Sequence, residues 1–328
     1  SLSFEPMMLS ASAGPEGVRG ELELHLADST GARALDITGR FDSPIGIATF
    51  ADLTTSTLEP MAVHLEVGAD DLGLLVASTT RNLEVEGGFD LVLDAAADAD
   101  GRLEGMLTAG SELLTLTNTA RDRRRTVSVE PLSLRIEVGS DGLAGELAAG
   151  VTAPGEGSVL QATGRLSMPR LNSLDFDSET QPIDGRLDVE VTDLSIVETL
   201  LIELSEASGT FELHTQVAGT LAETTVDGEA SLRDGRVLVP TLGLDLNGIQ
   251  LTAIGRPDGR VEIDGEIRSG PGQMTIRGRS ERYPSTETPT LIQVRGERFQ
   301  LMDIPEIQVE ANPALDVLFD GYTLQLNG

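Results

Sequence analysis

The sequence predicts an all-β chain: an elongated, curled antiparallel meander with a hydrophobic groove and one or two short amphipathic helices. Three observations carry that expectation. Aliphatic and polar residues alternate over many short stretches, turn-forming residues recur between them, and glycines open many of the stretches. A period of two sends successive side chains to opposite faces of a strand, so each stretch has an apolar side and a polar side.

The elements follow in chain order. Leu22, Leu24 and Leu26 interleave with Glu21, Glu23 and His25, and residues 1–60 read as the end of a preceding β-groove unit. Two longer units follow, at 61–166 and 185–280. Val63–Leu72 (VHLEVGADDL) matches Asp188–Leu194 (DVEVTDL): a strand, then Asp-Leu, with the two leucines 194 − 72 = 122 positions apart. An amphipathic helical segment is expected after each. In the first, Leu72, Leu75 and Val76 share a face; in the second, Leu194, Val197, Leu201 and Leu204 do, with Asp193 as N-cap. A glycine-containing strand comes next in both, at Gly88–Leu93 and Gly209–Leu213. In the second unit the groove is lined by Leu187, Val189, Val191, Phe211, Leu213, Val217, Leu242, Leu244, Leu246, Val261, Ile263, Ile267, Met274 and Ile276. Residues 281–328 supply terminal strands of the same continuous groove, with Leu315, Val317 and Phe319 inward. Repetition on this scale favours an elongated stack over a globule.

Glycines two residues before a large apolar residue, as at Gly39–Phe41, Gly145–Leu147, Gly164–Leu166 and Gly185–Leu187, are read as strand-edge turns or bulges that let a large sheet curl. The chain begins in mid-pattern at Ser1 and stops just after a strand at Gly328, so it is read as a piece of something longer. No apolar run approaches the roughly 20 residues a membrane helix needs.

Composition narrows the function. The net charge is −31, from 54 acidic and 23 basic residues, and every basic residue is Arg. Such a chain repels nucleic-acid phosphates and anionic bilayer surfaces. Cysteine is absent, which removes disulfide and thiolate chemistry. Aromatic residues make up 3% and Trp is absent, so the apolar rows are short of the bulky groups that usually fill a sandwich core.

An apolar sheet face must be covered. A second sheet, packed helices, or a curled sheet holding an apolar ligand would each do so. With so many strands and so few helical segments, the curled sheet is the expectation, and a filled sandwich or β-solenoid the alternative. A continuous aliphatic groove suits alkyl chains: each CH₂ withdrawn from water is worth roughly 0.8 kcal/mol, and a long fatty tail on the order of 10 kcal/mol.

Other motifs read as ordinary structure. His25, His64 and His214 sit singly on polar faces as solvated side chains. Asp94, Asp98, Asp100 and Glu104 resemble a calcium loop but miss the EF-hand spacing, and read as an acidic turn. Ser269–Gly272 (SGPG) is a turn and not a nucleophile elbow. Arg121, Arg123, Arg124 and Arg125 form the one basic cluster, a solvated loop with phosphate headgroup contact as its sharper reading. No catalytic residues, cofactor or metal are expected.

Residues 182–328 resemble the TamB family, the AsmA-like translocation and assembly module subunit of diderm bacteria. The resemblance rests on Pro182–Leu251, on Ser269–Gly278 (SGPGQMTIRG) and on Met302–Gly321 (MDIPEIQVEANPALDVLFDG). Over 1–181 it rests on the strand pattern and repeat alone. It implies a β-taco fold, a sheet rolled into an open hydrophobic trough. It implies a periplasmic segment of a protein anchored in the inner membrane and spanning to the outer membrane, with a TamA-like outer-membrane barrel as partner through parts outside this chain. The implied activity is non-catalytic conduction of phospholipid, by its acyl chains, between the two membranes. The alternative is a scaffold or chaperone for outer-membrane β-barrel protein assembly and secretion, pairing strand edges with a BamA-like partner.

Overall fold

The computed structural model describes residues 2–4, 8–14, 17–28, 33–43, 60–73, 82–119, 124–173, 176–201, 203–281, 290–319 and 323–327. The strands, in order, are β1 (Leu2–Phe4), β2 (Met8–Gly14), β3 (Gly17–Asp28), β4 (Arg33–Ser43), β5 (Met61–Ala69), β6 (Leu83–Glu86) and β7 (Phe89–Ala97). Next come β8 (Leu103–Ser111), β9 (Leu114–Asn118), β10 (Arg125–Gly139), β11 (Gly142–Ala153), β12 (Gly157–Pro169) and β13 (Pro182–Val191). A 3-10 turn (Leu194–Ile196) runs into one helical turn, α1 (Val197–Leu200). The rest are β14 (Ser205–Thr220), β15 (Thr224–Val239), β16 (Leu244–Gly255), β17 (Val261–Ser269), β18 (Gly272–Ser280), β19 (Thr290–Glu297), β20 (Phe299–Ile304), β21 (Ile307–Ala311), β22 (Ala314–Phe319) and β23 (Leu324–Asn327). Among the described residues no helix is long and apolar enough to cross a membrane.

Twenty-one of these strands form one antiparallel sheet. β1 and β2 lie along one side of β3, and from β3 the sheet runs through β4, β5, β7, β8, β10 and then each strand in turn to β19, β22 and β23. Most strands pair with their neighbours in sequence, and short turns close several of the hairpins: Asp98–Gly101 and Arg256–Gly259 are examples closed by backbone hydrogen bonds of 3.0 and 2.8 Å.

Cross-strand partners share a face, so the pairing register tests the alternation directly. One row of mutually opposite residues runs Leu9, Leu22, Gly39, Leu65, Leu93, Leu107, Ile136, Gly145, Leu166, Gly185, Val217, Val226. A parallel row runs Ala162, Val189, Leu213, Ala230, Ala253, Ile263, Gly278, Ile292, Val317, Leu326. One apolar face therefore passes without a break from β2 to β23.

Of the glycines predicted at strand edges, Gly39, Gly145, Gly164 and Gly185 lie instead inside strands and on this face, whereas Gly101 and Gly259 fall in turns and Gly209 in a bulge, as expected. A Cβ on Gly164 would sit 3.5 Å from both Leu147 Cβ and Leu187 Cδ1. The leucines of the flanking strands lean over the bare backbone, so glycine here keeps the apolar floor even and does not turn the chain.

Two bends interrupt the regular pairing. β6 and β7 are one strand broken at Gly87–Gly88, and they pair with β9 and β8, which lie end to end along β10. In the later part of the chain, β14 and β15 carry bulges at Ser205–Thr210 and Leu232–Val237. Gly209 and Asp234 hold the positive φ angles these bulges need, 119° and 51°.

β20 and β21 stand apart as a two-stranded hairpin, whereas β19, β22 and β23 continue the sheet. The excursion is closed at its neck, where Gly296 N–H donates to Pro313 O at 2.8 Å and Arg298 N–H to Asn312 Oδ1 at 2.7 Å. Its outer part is fastened to the turn before β16 by Asp303 N–H to Leu242 O (2.8 Å) and to the end of β17 by Ser269 Oγ–H to Gln300 O (2.8 Å).

Candidate functional site

The apolar face is open along most of its length. Of the twenty residues expected to line a groove, Leu26 and Val191 are buried and most of the others are half-buried. The chain exposes 19666 Å², against about 13,000 Å² for a compact monomer of 34.6 kDa. A filled sandwich core would bury these rows, and the aliphatic side chains here do not interlock with a second layer.

Nineteen of the twenty lie on strands, and the register puts them on one face. Leu244 and Leu246 join through the bulge at Asn247–Gln250, pairing with Val239 and Ser269. The exception is Leu242, expected on a strand, which lies in the Pro240–Gly243 turn before β16 and is 36% exposed. Gly243 causes this: its φ of 59° reverses the chain where the Asp303 carbonyl approaches so closely that a Cβ would not fit.

Near the Met61 end of β5 the face holds a hollow of about 260 Å³. Met61 and Val63, Leu93 and Ala95, Leu103 and Leu107, and Ile136 and Val138 line it from β5, β7, β8 and β10.

At the opposite strand ends the face is covered. Leu194, Ile196 and Val197 pack on Val127, Val151, Val159, Val191 and Phe211, and Ile196 and Thr199 are buried. The covering segment is shorter than the helix expected over Leu194–Leu204. Leu201 already has an extended backbone, so Leu201 and Leu204 do not extend the apolar stripe, and Leu201 is 49% exposed. β-Branched Ile196, Val197 and Thr199 are poor helix formers, and the start of β14 takes up the chain. The cap at Asp193 is as expected: its carboxylate accepts from Ser195 N–H at 2.8 Å. The same bond occurs 193 − 71 = 122 positions earlier, from Gly73 N–H to Asp71 Oδ1 at 2.9 Å. Leu75 and Val76, expected on the first helix, lie outside the described residues.

Polar groups at the rim fasten this segment. Glu198, whose side chain is 10% exposed, pairs with Arg125 Nε at 3.2 Å and accepts from Ala207 N–H at 2.6 Å. Its backbone carbonyl accepts from Asn118 Nδ2–H at 2.7 Å, and Ser195 O accepts from Arg125 at 3.4 Å. None of Glu198, Asn118 and Ala207 stands out in the sequence reading. The available signal was an acid placed among the apolar residues of a short helical turn.

The arginine cluster divides. Arg125 opens β10 and is held by Glu198, and Arg124 pairs with Glu84 at 2.8 Å. Arg121 and Arg123 lie outside the described residues.

The reverse face is ionic. His25 lies 2.5 Å from Asp36, His64 2.6 Å from Asp94 and His214 2.9 Å from Asp188, each across a strand pair. The bond to Asp94 raises the His64 pKa, with Glu66 adding to it. The Arg186 guanidinium, then His214, holds Asp188 down at about 2. Asp98, in the turn that resembles a calcium loop, spends its carboxylate on the N–H groups of Asp100 and Arg102. Among the described residues no group of three or more acids and histidines is placed to hold a metal.

The chain thus belongs, by architecture, to large antiparallel meander sheets with one apolar and one charged face. No protein-family model matches it, and no curated protein and no solved structure matches it either.

Proposed function

We propose that this chain is a segment of an intermembrane conduit that carries the acyl chains of phospholipid along its apolar face, without catalysis, as in the TamB family that residues 182–328 resemble. The observation that carries the reading is the unbroken apolar face from β2 to β23, left open where a packed domain would close it. Such a surface binds hydrocarbon through area alone, so a chain can slide from row to row with little change in free energy. The headgroup stays in water.

The reading requires the sheet to curl, and the bonds of Glu198 support this. β9 and β14 are five inter-strand spacings apart, about 24 Å in a flat sheet. Glu198 nevertheless bonds Asn118 of β9 at 2.7 Å and Ala207 of β14 at 2.6 Å. A glutamate spans about 6 Å from its backbone carbonyl oxygen to its carboxylate, so Asn118 Nδ2 and Ala207 N lie within roughly 11 Å of one another. A sheet bent toward its apolar side accounts for the shortfall. In this reading the parent protein is anchored in the inner membrane, the segment lies in the periplasm, and a TamA-like barrel is met through other parts.

Native mass spectrometry of the purified chain, with uptake of a fluorescent long-chain fatty acid, tests the proposal. Bound phospholipid and saturable uptake are expected. Leu213→Arg and Leu244→Arg, on the apolar face, should each lower uptake, while Glu229→Arg on the ionic face should not. Uptake unchanged in both floor variants would exclude this face as the route.

A further inference from the structure

We propose that the helical segment Leu194–Leu200 is a displaceable stopper, seated on the apolar face at one end of strands β10–β14 and withholding that part of it from an acyl chain. This rests on the conduit reading above. The segment is joined covalently to the sheet only at its two ends, leaving β13 and re-entering at β14, yet it reaches across to β9 and β10. Ile196 and Val197 cover Val127, Val151, Val191 and Phe211, which are floor residues and not a separate core. While the segment is seated, that part of the floor is unavailable to a ligand.

Its hold is divided into two parts of different character. The apolar contacts are ones an alkyl chain replaces in kind, so exchanging the segment for hydrocarbon leaves the floor covered. The polar part is a latch at the rim: Glu198 to Arg125 and Ala207, and the Glu198 carbonyl to Asn118. A single helical turn has no stability of its own, so once unlatched it is held only by apolar contacts that hydrocarbon can replace. Its outer side carries Leu200 and Leu201, 57% and 49% exposed, which offer an arriving chain an apolar surface at the covered end.

The absence of cysteine from the chain makes a clean test possible. Ile196→Cys places a thiol under the segment, and Leu200→Cys places one on its exposed side. Without ligand, Ile196→Cys should react with a maleimide at least about tenfold more slowly than Leu200→Cys, because reaction requires local opening. A saturating fluorescent long-chain fatty acid should bring the two rates within about threefold of each other, and adding Glu198→Gln should raise the ligand-free Ile196→Cys rate. Val197→Cys serves if Ile196→Cys fails to fold by circular dichroism. Bound probe with the thiol still protected would overturn the stopper and leave the conduit reading standing. A chain that binds no probe would overturn the conduit reading, and the stopper with it.

Discussion

Arg125, the first residue of β10, and Glu198, in the helical turn after β13, are ion-paired at 3.2 Å although three strand spacings separate β10 from β13. The pair is a long-range clamp across the apolar face. Glu198 is nearly buried, so its charge depends on Arg125 and the Ala207 N–H for the solvation that water would otherwise supply. Replacing Arg125 with Met should cost about 1–3 kcal/mol, because one hydrogen-bond donor to the carboxylate remains. A double-mutant cycle with Glu198→Gln, followed by urea denaturation, should give a coupling of at least about 1 kcal/mol. Additive single-mutant effects would mean the contact contributes no clamp.

Gly243 should not tolerate a side chain. It combines a φ of 59° with the close approach of the Asp303 carbonyl, and backbone cannot swing away as a flexible side chain can. Gly243→Ala is expected to destabilise by about 2 kcal/mol or more and to release the β20–β21 hairpin. Faster amide exchange at Asp303, whose N–H is bonded to Leu242 O, would report the release.

Gly164 presents the opposite case, with ordinary backbone geometry and van der Waals distances to Leu147 and Leu187. Gly164→Ala should be neutral or stabilising by up to about 1 kcal/mol, since alanine narrows the unfolded ensemble without a clash. Thermal melts of the two glycine variants side by side separate these outcomes.

The ionic face should titrate at both ends of the pH range. Asp188 has its pKa lowered from 3.8 to about 2, so its contribution to stability is present above pH 3.8 and is lost as pH falls toward 2. His64 has its pKa raised above 6.5, so its contribution is complete below pH 6.5 and is lost as pH rises through the raised value. The melting-temperature gap between the native chain and Asp188→Asn should close in acid, and the gap to His64→Gln should close at alkaline pH. Gaps that do not change with pH would show that these pairs do not couple to folding.

Strand content and the division into faces were legible in the sequence because alternation is a local property. Leu187, Val189 and Val191 point to one side whatever the rest of the chain does, and the register from β13 to β14 only confirms their partners. The Asp193 cap was legible for the same reason, its bond reaching two residues. The sequence did not disclose where the helical segment stops, that Leu242 is in a turn, or that β20 and β21 leave the sheet. The last two depend on residues distant in the chain: Asp303 against Gly243, Asn312 and Pro313 against the neck of the hairpin. One apolar and one charged face follow from the alternation of residue types, since side-chain direction is set by backbone geometry alone. The tertiary structure alone decided which part of the apolar face is covered, because Glu198 finds Asn118, Arg125 and Ala207 only after the strands between them have been laid down.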